Sequence, residues 1–326
     1  MAKRHLDIAA RVHAYVPEHN AGAETMLHSM LRALVARGHR CTVWIARYTA
    51  AREAYEVDGV RVVPARARVD GTWTKADVLI SHLENVEPTA AIAKGYGIPY
   101  VILAHNTFYP TRKAIDESYP ALVVYNSEWM RQELGDNPNG IVVNPSVDPA
   151  EYATKPGDAV TIVNATATKG AEVFYELAKR FPETPFLAVG GAYGVQLGSE
   201  LPNVERIEHV PFDQMRDRVY GRTKVVLMPS DYESWGRVGT EAICSGIPVV
   251  AHPTPGLKEN LGDAGIFIDR ADVDRWEKAL KALLGNDKIY AKASEQALKR
   301  AAELDADADL HRWCDAIESL VEKGES

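Results

Sequence analysis

Short apolar runs alternate along the chain with stretches of helical periodicity, and the alternation restarts once. Runs at 6–12, 41–46, 60–64, 78–81, 100–104, 122–125 and 141–144 read as buried strands. The clearest helix covers 24–37: Met26, Leu27, Met30, Leu31, Leu34 and Val35 share one face, and Gly38 ends it. A polar, proline-containing segment at 145–158 interrupts the series. Strands at 160–164, 186–189, 225–228 and 247–251 and a helix at 171–180 then repeat it. Strands alternating with helices predict parallel sheets joined by βαβ crossovers. The restart predicts an α/β protein of two Rossmann-like, doubly wound domains facing across a cleft. From Asp272 onward the pattern is helical, with Trp276, Leu280 and Leu283 on one face and Trp313, Ile317 and Leu320 on another.

Composition narrows the class. A chain of 326 residues can bury two cores, and 46% hydrophobic with 25% charged residues excludes disorder. The formal charge of −8 lies in the second half, because residues 1–150 carry 16 Lys/Arg against 16 Asp/Glu. An acidic chain without a basic stripe argues against a nucleic-acid partner. A modest basic group, Arg47, Arg52, Arg61, Arg66 and Arg68, leaves a peripheral contact with an anionic lipid or polymer open, but Glu53, Glu56 and Asp58 are interspersed with it. Cys41, Cys244 and Cys314 have neither metal-ligand nor disulfide-framework spacing, which predicts reduced, buried thiols. No stretch approaches the ~20 apolar residues of a membrane span. Asp7 and Arg11 interrupt any signal-peptide core, so the expected location is cytoplasmic.

Residues 228–251 are the densest in candidate chemistry. Pro229 and Ser230 stop the strand at 225–228, and 238–245 reads as a helix capped by Gly246, with Pro248 beyond. Glu233 then stands on a loop and Glu241 on the helix. On one helix the pair would be about 12 Å apart, whereas a loop lets Glu233 fold back over a ligand at the helix start. The first-turn N–H groups near Gly236 and Val238 suit a diphosphate.

This segment resembles the Glu-x7-Glu signature of retaining glycosyltransferases of family 4, including the tail Glu241-Ala-x-x-x-Gly-x-Pro-Val-Val-Ala. The resemblance covers about residues 5–270 and implies the GT-B architecture. Residues 1–150 would bind the acceptor and 151–300 the nucleotide-sugar donor, and the last helix, 301–326, would pack back toward the first domain. It also implies the roles of individual residues. Lys169, in Lys169-Gly170 at a strand-to-helix turn, matches the lysine that contacts the donor diphosphate. Glu233 would accept hydrogen bonds from sugar hydroxyls, and Glu241 from the ribose. The Asn20-Ala21-Gly22-Ala23-Glu24 loop resembles the family's Gly-Gly-x-Glu loop, with Ala21 for the first glycine, so Gly22 and Ala23 would approach the donor phosphates. His105, ending the strand at 100–104, matches a histidine that touches the donor sugar.

The chain departs from the family at Asn164, which occupies the position of an arginine five residues before the lysine. Arg237 is the candidate replacement cation, since guanidinium pairs well with phosphate; an exposed loop arginine is the alternative. For His13 and His82, which also end strands, a structural role is the simpler reading, and Trp235 is expected to pack beneath its loop. Gly190 to Gly194 lacks the acidic residue of a dinucleotide fingerprint and more simply lines the donor pocket. Asp305, Asp307 and Asp309 read as a cap and solvated turn, not a metal site.

The expected activity is retaining transfer of a sugar from a nucleotide-diphosphate sugar to an acceptor hydroxyl, without cofactor or metal at the diphosphate. The acceptor is open among glycan, lipid, protein and small molecule. The alternatives are a GT-B nucleotide-sugar epimerase, a catalytically silent nucleotide-sugar-binding module and, least favoured, a glycoside hydrolase built on Glu233 and Glu241.

Overall fold

The computed structural model describes residues 4–47, 49–65, 72–145 and 147–322, so Arg66 and Arg68 of the basic group lie outside the described residues. Contacts divide the chain into two compact units: Met1–His19, Ala23–Ser146 and Ala306–Ser326 form one, Asn20–Gly22 and Val147–Asp305 the other.

The first unit is built on eight strands: β1 (Asp7–Val12), β2 (Arg40–Ile45), β3 (Tyr55–Val57), β4 (Val60–Pro64), β5 (Val78–His82), β6 (Tyr100–Ala104), β7 (Leu122–Tyr125) and β8 (Gly140–Val142). They lie in the order β3-β4-β2-β1-β5-β6-β7-β8, parallel except for the β3–β4 hairpin. Asp58 and Gly59 both take positive φ, 49° and 76°, the backbone that a tight two-residue hairpin demands. Every residue of β5, β6 and β7 is buried, as a strand covered on both faces requires. The connecting helices are α1 (Gly22–Ala36), α2 (Val86–Tyr96), α3 (Tyr109–Ser118) and α4 (Glu128–Leu134). The sheet grows outward in both directions from β1, which pairs with β2 and β5. The carboxyl ends of β1 and β5 therefore flank a topological switch point, where ligands bind in sheets of this kind.

The second unit has six parallel strands, β9 (Ala159–Val163), β10 (Phe186–Val189), β11 (Val204–Ile207), β12 (Thr223–Met228), β13 (Val249–Ala251) and β14 (Gly265–Phe267), in the order β11-β10-β9-β12-β13-β14. Alternate residues feed separate cores: Leu187, Val189, Val226 and Val249 on one face, and Val160, Ile162, Phe186 and Val225 on the other with Phe174 and Trp276. Its helices are α5 (Pro149–Tyr152), α6 (Ala171–Arg180), α7 (Met215–Arg218), α8 (Arg237–Ile243), α9 (Pro255–Leu261), α10 (Val273–Gly285) and α11 (Asp287–Glu303).

The last helix, α12 (Ala306–Glu322), is part of the first unit. Its buried Trp313 donates through Nε1 to the Met30 carbonyl at 3.0 Å, and Glu318 Oε1 lies 3.0 Å from His39 Nε2. Asp309, in its first turn, accepts from the Asn144 amide and from Arg312. Among the described residues no helix is long and apolar enough to cross a membrane.

Candidate functional site

The carboxyl ends of β9 and β12 bring Lys169 and Glu233 together. Lys169 sits on the turn between β9 and α6, and its Nζ donates to Glu233 Oε1 at 2.6 Å; Ser230 Oγ donates to the same oxygen at 2.9 Å. Burial pulls the Lys169 ammonium toward its neutral form, but the Glu233 carboxylate together with Tyr193 and Asp231 outweighs that, and the pKa stands above the ordinary lysine value. Both side chains keep some access, 18% and 13%, so a ligand can reach them. The turn is possible because Gly170, at φ 79°, presses on Pro229: a β-carbon there would lie 2.5 Å from the Pro229 carbonyl oxygen. The Asp231 amide donating to the Thr168 carbonyl at 3.0 Å ties the two loops further.

The loop carrying Glu233 is fixed from below. Trp235 is buried and donates through Nε1 to Thr240 Oγ1, which donates to Asn260 Oδ1. Asn260 Nδ2 returns hydrogen bonds to the carbonyls of Trp235 and Gly236, at 3.0 and 2.9 Å. Sequence reasoning missed Asn260. Its signal was a polar residue between Leu257 and Leu261 on the buried face of α9. Ser230, on the same loop, was likewise passed over.

Arg237, offered by the sequence as a substitute cation, is engaged elsewhere. Its Nε donates to Glu241 Oε1 at 2.7 Å, one helical turn on, and Nη2 donates to the Tyr152 hydroxyl at 3.2 Å. The other oxygen of Glu241 accepts from the Tyr220 hydroxyl at 2.5 Å. The guanidinium and carboxylate are only 10% and 8% exposed, so Glu241 is a partner within a buried network as it stands. Val238 packs partly against the core, and Gly236, at φ 86°, sits where a β-carbon would strike Leu257.

Asn164 follows β9 in the left-handed region, φ 63°, and its Oδ1 accepts from Gln196 Nε2 at 2.7 Å. It is buried against Gly191, whose absent side chain leaves the room. Beside it opens a cavity of about 410 Å³ lined by Ala165, Gly190, Gly191, Gln196, Arg206 and His209 among others.

In the first unit, His105 follows β6. Burial, reinforced by nearby His13, pushes its pKa down to about 4, so the ring is neutral near pH 7. Its ring lies 5.0 Å from that of His82, which is wholly buried at the end of β5 and is held neutral in the same way. Gly22, which is exposed, opens α1 where a β-carbon would meet nothing within 4 Å.

Comparison with known proteins agrees with this architecture. Residues 20–151 match the family model for Glycosyltransferase Family 4, and residues 151–300 that for Glycosyl transferases group 1. D-inositol 3-phosphate glycosyltransferase of Mycolicibacterium gilvum is 29% identical over 254 residues, 66% of this chain and 56% of that protein. Matches to such curated relatives span between 23% and 56% of their length. Among solved structures, Anabaena Alr3699/HepE in complex with UDP-glucose superposes with a TM-score of 0.78 at 17% identity, covering 97% of this chain and 100% of that one. Sucrose-phosphate synthase of Thermosynechococcus elongatus gives 0.79 at 13% identity, covering 98% and 100%. These likenesses show the GT-B fold.

Proposed function

Since the chain belongs to the group 1 glycosyltransferases of family 4, we propose that it transfers a sugar from a nucleotide-diphosphate sugar to an acceptor hydroxyl, with retention of configuration. The observation that carries the reading is the Lys169–Glu233–Ser230 cluster at the carboxyl ends of two adjacent parallel strands. The UDP-glucose complex of the Anabaena neighbour supports the donor class.

As the bond to the diphosphate breaks, negative charge grows on the leaving group, and Lys169 neutralises it together with N–H groups at the start of α8. Glu233, released from Lys169 by that exchange, accepts from sugar hydroxyls. Neutral His105 hydrogen-bonds the donor sugar, and Gly22 and Ala23 let backbone approach the phosphates. The cavity beside Gly190 and Gly191 takes the nucleotide end of the donor. Asn164 holds that cavity's wall through Gln196, and Glu241 positions Arg237 at the head of α8 while facing the ribose. The leaving phosphate oxygen takes the acceptor proton, and with Lys169 and the N–H groups at the start of α8 neutralising the diphosphate the step needs no metal and no cofactor. The acceptor binds the first unit, and the reaction is cytoplasmic.

A second reading, a nucleotide-sugar-binding module without turnover, draws support from the cation balance: Asn164 stands where the family has arginine, and Arg237 is paired with Glu241. Thermal unfolding with a panel of nucleoside diphosphates and nucleotide sugars tests what both readings share. A true donor at 100 times its dissociation constant adds about 2.7 kcal/mol. Failure of every nucleotide to stabilise the chain would remove both readings, and release of nucleoside diphosphate from the best donor favours the transferase.

A further inference from the structure

We propose that the first unit binds one divalent transition-metal ion of the zinc class on His13, His19 and Glu24. The three belong to one short stretch: His13 just beyond β1, His19 on the following turn, and Glu24 in the first turn of α1. One ligand atom from each lies within 4.8 Å of the others. His13 Nε2 and Glu24 Oε1 are 3.2 Å apart, and ligands of a tetrahedral zinc, each about 2.0–2.2 Å from the metal, stand about 3.4 Å from one another. The rings of His13 and His19 are 5.9 Å apart and steeply inclined, at 77°. Two imidazoles on one such ion place their centroids about 5 Å apart, so closing the site asks His19 to move by about 1 Å on a turn outside helix and strand. Two imidazoles and a carboxylate favour zinc, nickel or cobalt over magnesium or calcium, and they leave a fourth position for water.

A second, independent observation points to the same place. His82, at the end of the neighbouring strand β5, is fully buried, yet neither ring nitrogen has a hydrogen-bond partner. Its ring lies 5.8 Å from that of His13. Buried polar groups are nearly always satisfied, and an exception calls for a partner. A His13–Glu24 ion pair alone leaves His82 unexplained; an ion on His13 would bring bound water into the histidine cluster that His82 joins. Glu84 Oε2, 3.8 Å from His13 Nδ1, lies on the side where metal-bound imidazoles usually face a carboxylate. The partial exposure of His13 and His19 gives the ion a way in, while Glu24 is buried beneath. The site would pin the segment that leads to Gly22 and Ala23. It does not depend on the proposed sugar transfer.

The test uses the full chain, stripped with EDTA and titrated with zinc by calorimetry and with cobalt by visible absorption. One ion per chain is expected, with the strong visible bands of four-coordinate cobalt. His19→Ala and Glu24→Gln should each weaken zinc by more than about 100-fold, beyond what a lost outer partner does. His311→Ala, on the exposed side of α12, should bind as the parent does. Circular dichroism of each variant guards against misfolding, and Glu24→Gln keeps the side-chain shape should His19→Ala misfold. Less than one zinc per chain, or equal binding by the folded His19 and Glu24 variants, would overturn the proposal.

Discussion

In the proposed transfer Lys169 is the residue on which the chemistry leans most, and Lys169→Ala separates its contribution to rate from its contribution to folding. Removing one preorganised group that stabilises developing charge lowers kcat by about 10²–10³, about 2.7–4 kcal/mol. The folding cost should be much smaller. A wholly buried ion pair loses about 3–5 kcal/mol when one partner goes. Here Glu233 keeps Ser230 as a donor, and the two side chains remain 13% and 18% exposed, so water can hydrate the orphaned carboxylate. We expect about 1 kcal/mol, nearer the surface-pair range. Initial rates of nucleoside diphosphate release from the stabilising donor, measured across donor concentration and beside thermal unfolding, resolve the two effects. Glu233→Gln should also slow the reaction, and the double variant should lose less than the sum, because the residues act as a unit. A folded, donor-binding Lys169→Ala protein with kcat within about 3-fold of the parent would refute the assignment, since the predicted loss is at least about 10².

Other consequences are checked by stability and labelling. Arg237→Leu leaves the Glu241 carboxylate buried without its cation, with the Tyr220 hydroxyl still donating to it. Chemical denaturation should show a loss of about 3–5 kcal/mol, largely recovered when Glu241→Leu is added. Trp313→Ala, which empties a fully buried site between α12 and α1, should cost about 3–5 kcal/mol and appear as a lower denaturation midpoint. The thiols Cys41, Cys244 and Cys314 are all buried, and burial pushes Cys41 strongly up and Cys244 to about 12. The native chain should therefore resist a thiol-specific reagent at neutral pH, and all three should react after unfolding.

Much of the fold is legible in the sequence because continuous apolar runs and a clear helical period leave little ambiguity: the runs at 60–64, 100–104, 122–125 and 186–189 coincide with β4, β6, β7 and β10, and the amphipathic stretch 171–180 with α6. The strands β3, β11 and β14 are not read from the pattern. They are three or four residues long and lie at sheet edges, where half-exposed positions carry no continuous apolar signal. The Asp58-Gly59 turn that betrays β3 was nonetheless present as a hairpin signal. In the candidate site, Lys169, Glu233 and Glu241 are singled out by the family resemblance, whereas the company they keep is not legible. Arg237 and Glu241 are four apart and readable as a helical pair, but Tyr152 and Tyr220 reach them from distant parts of the chain. His13, His82 and His105 each end a strand. Only the order β1-β5-β6 makes them neighbours, and strand order does not follow from periodicity.

The central claim, that this chain breaks the bond between a sugar and a nucleoside diphosphate, is tested most directly by time-resolved phosphorus NMR. The chain would be incubated with the nucleotide sugar that stabilises it best, with and without a mixture of glycan, lipid and small-molecule acceptors. The account predicts conversion of the diphosphate-ester resonances to those of free nucleoside diphosphate, faster with acceptor and suppressed in Lys169→Ala. A donor that binds yet stays intact over many hours with every acceptor class would contradict it and leave a binding module in place of an enzyme.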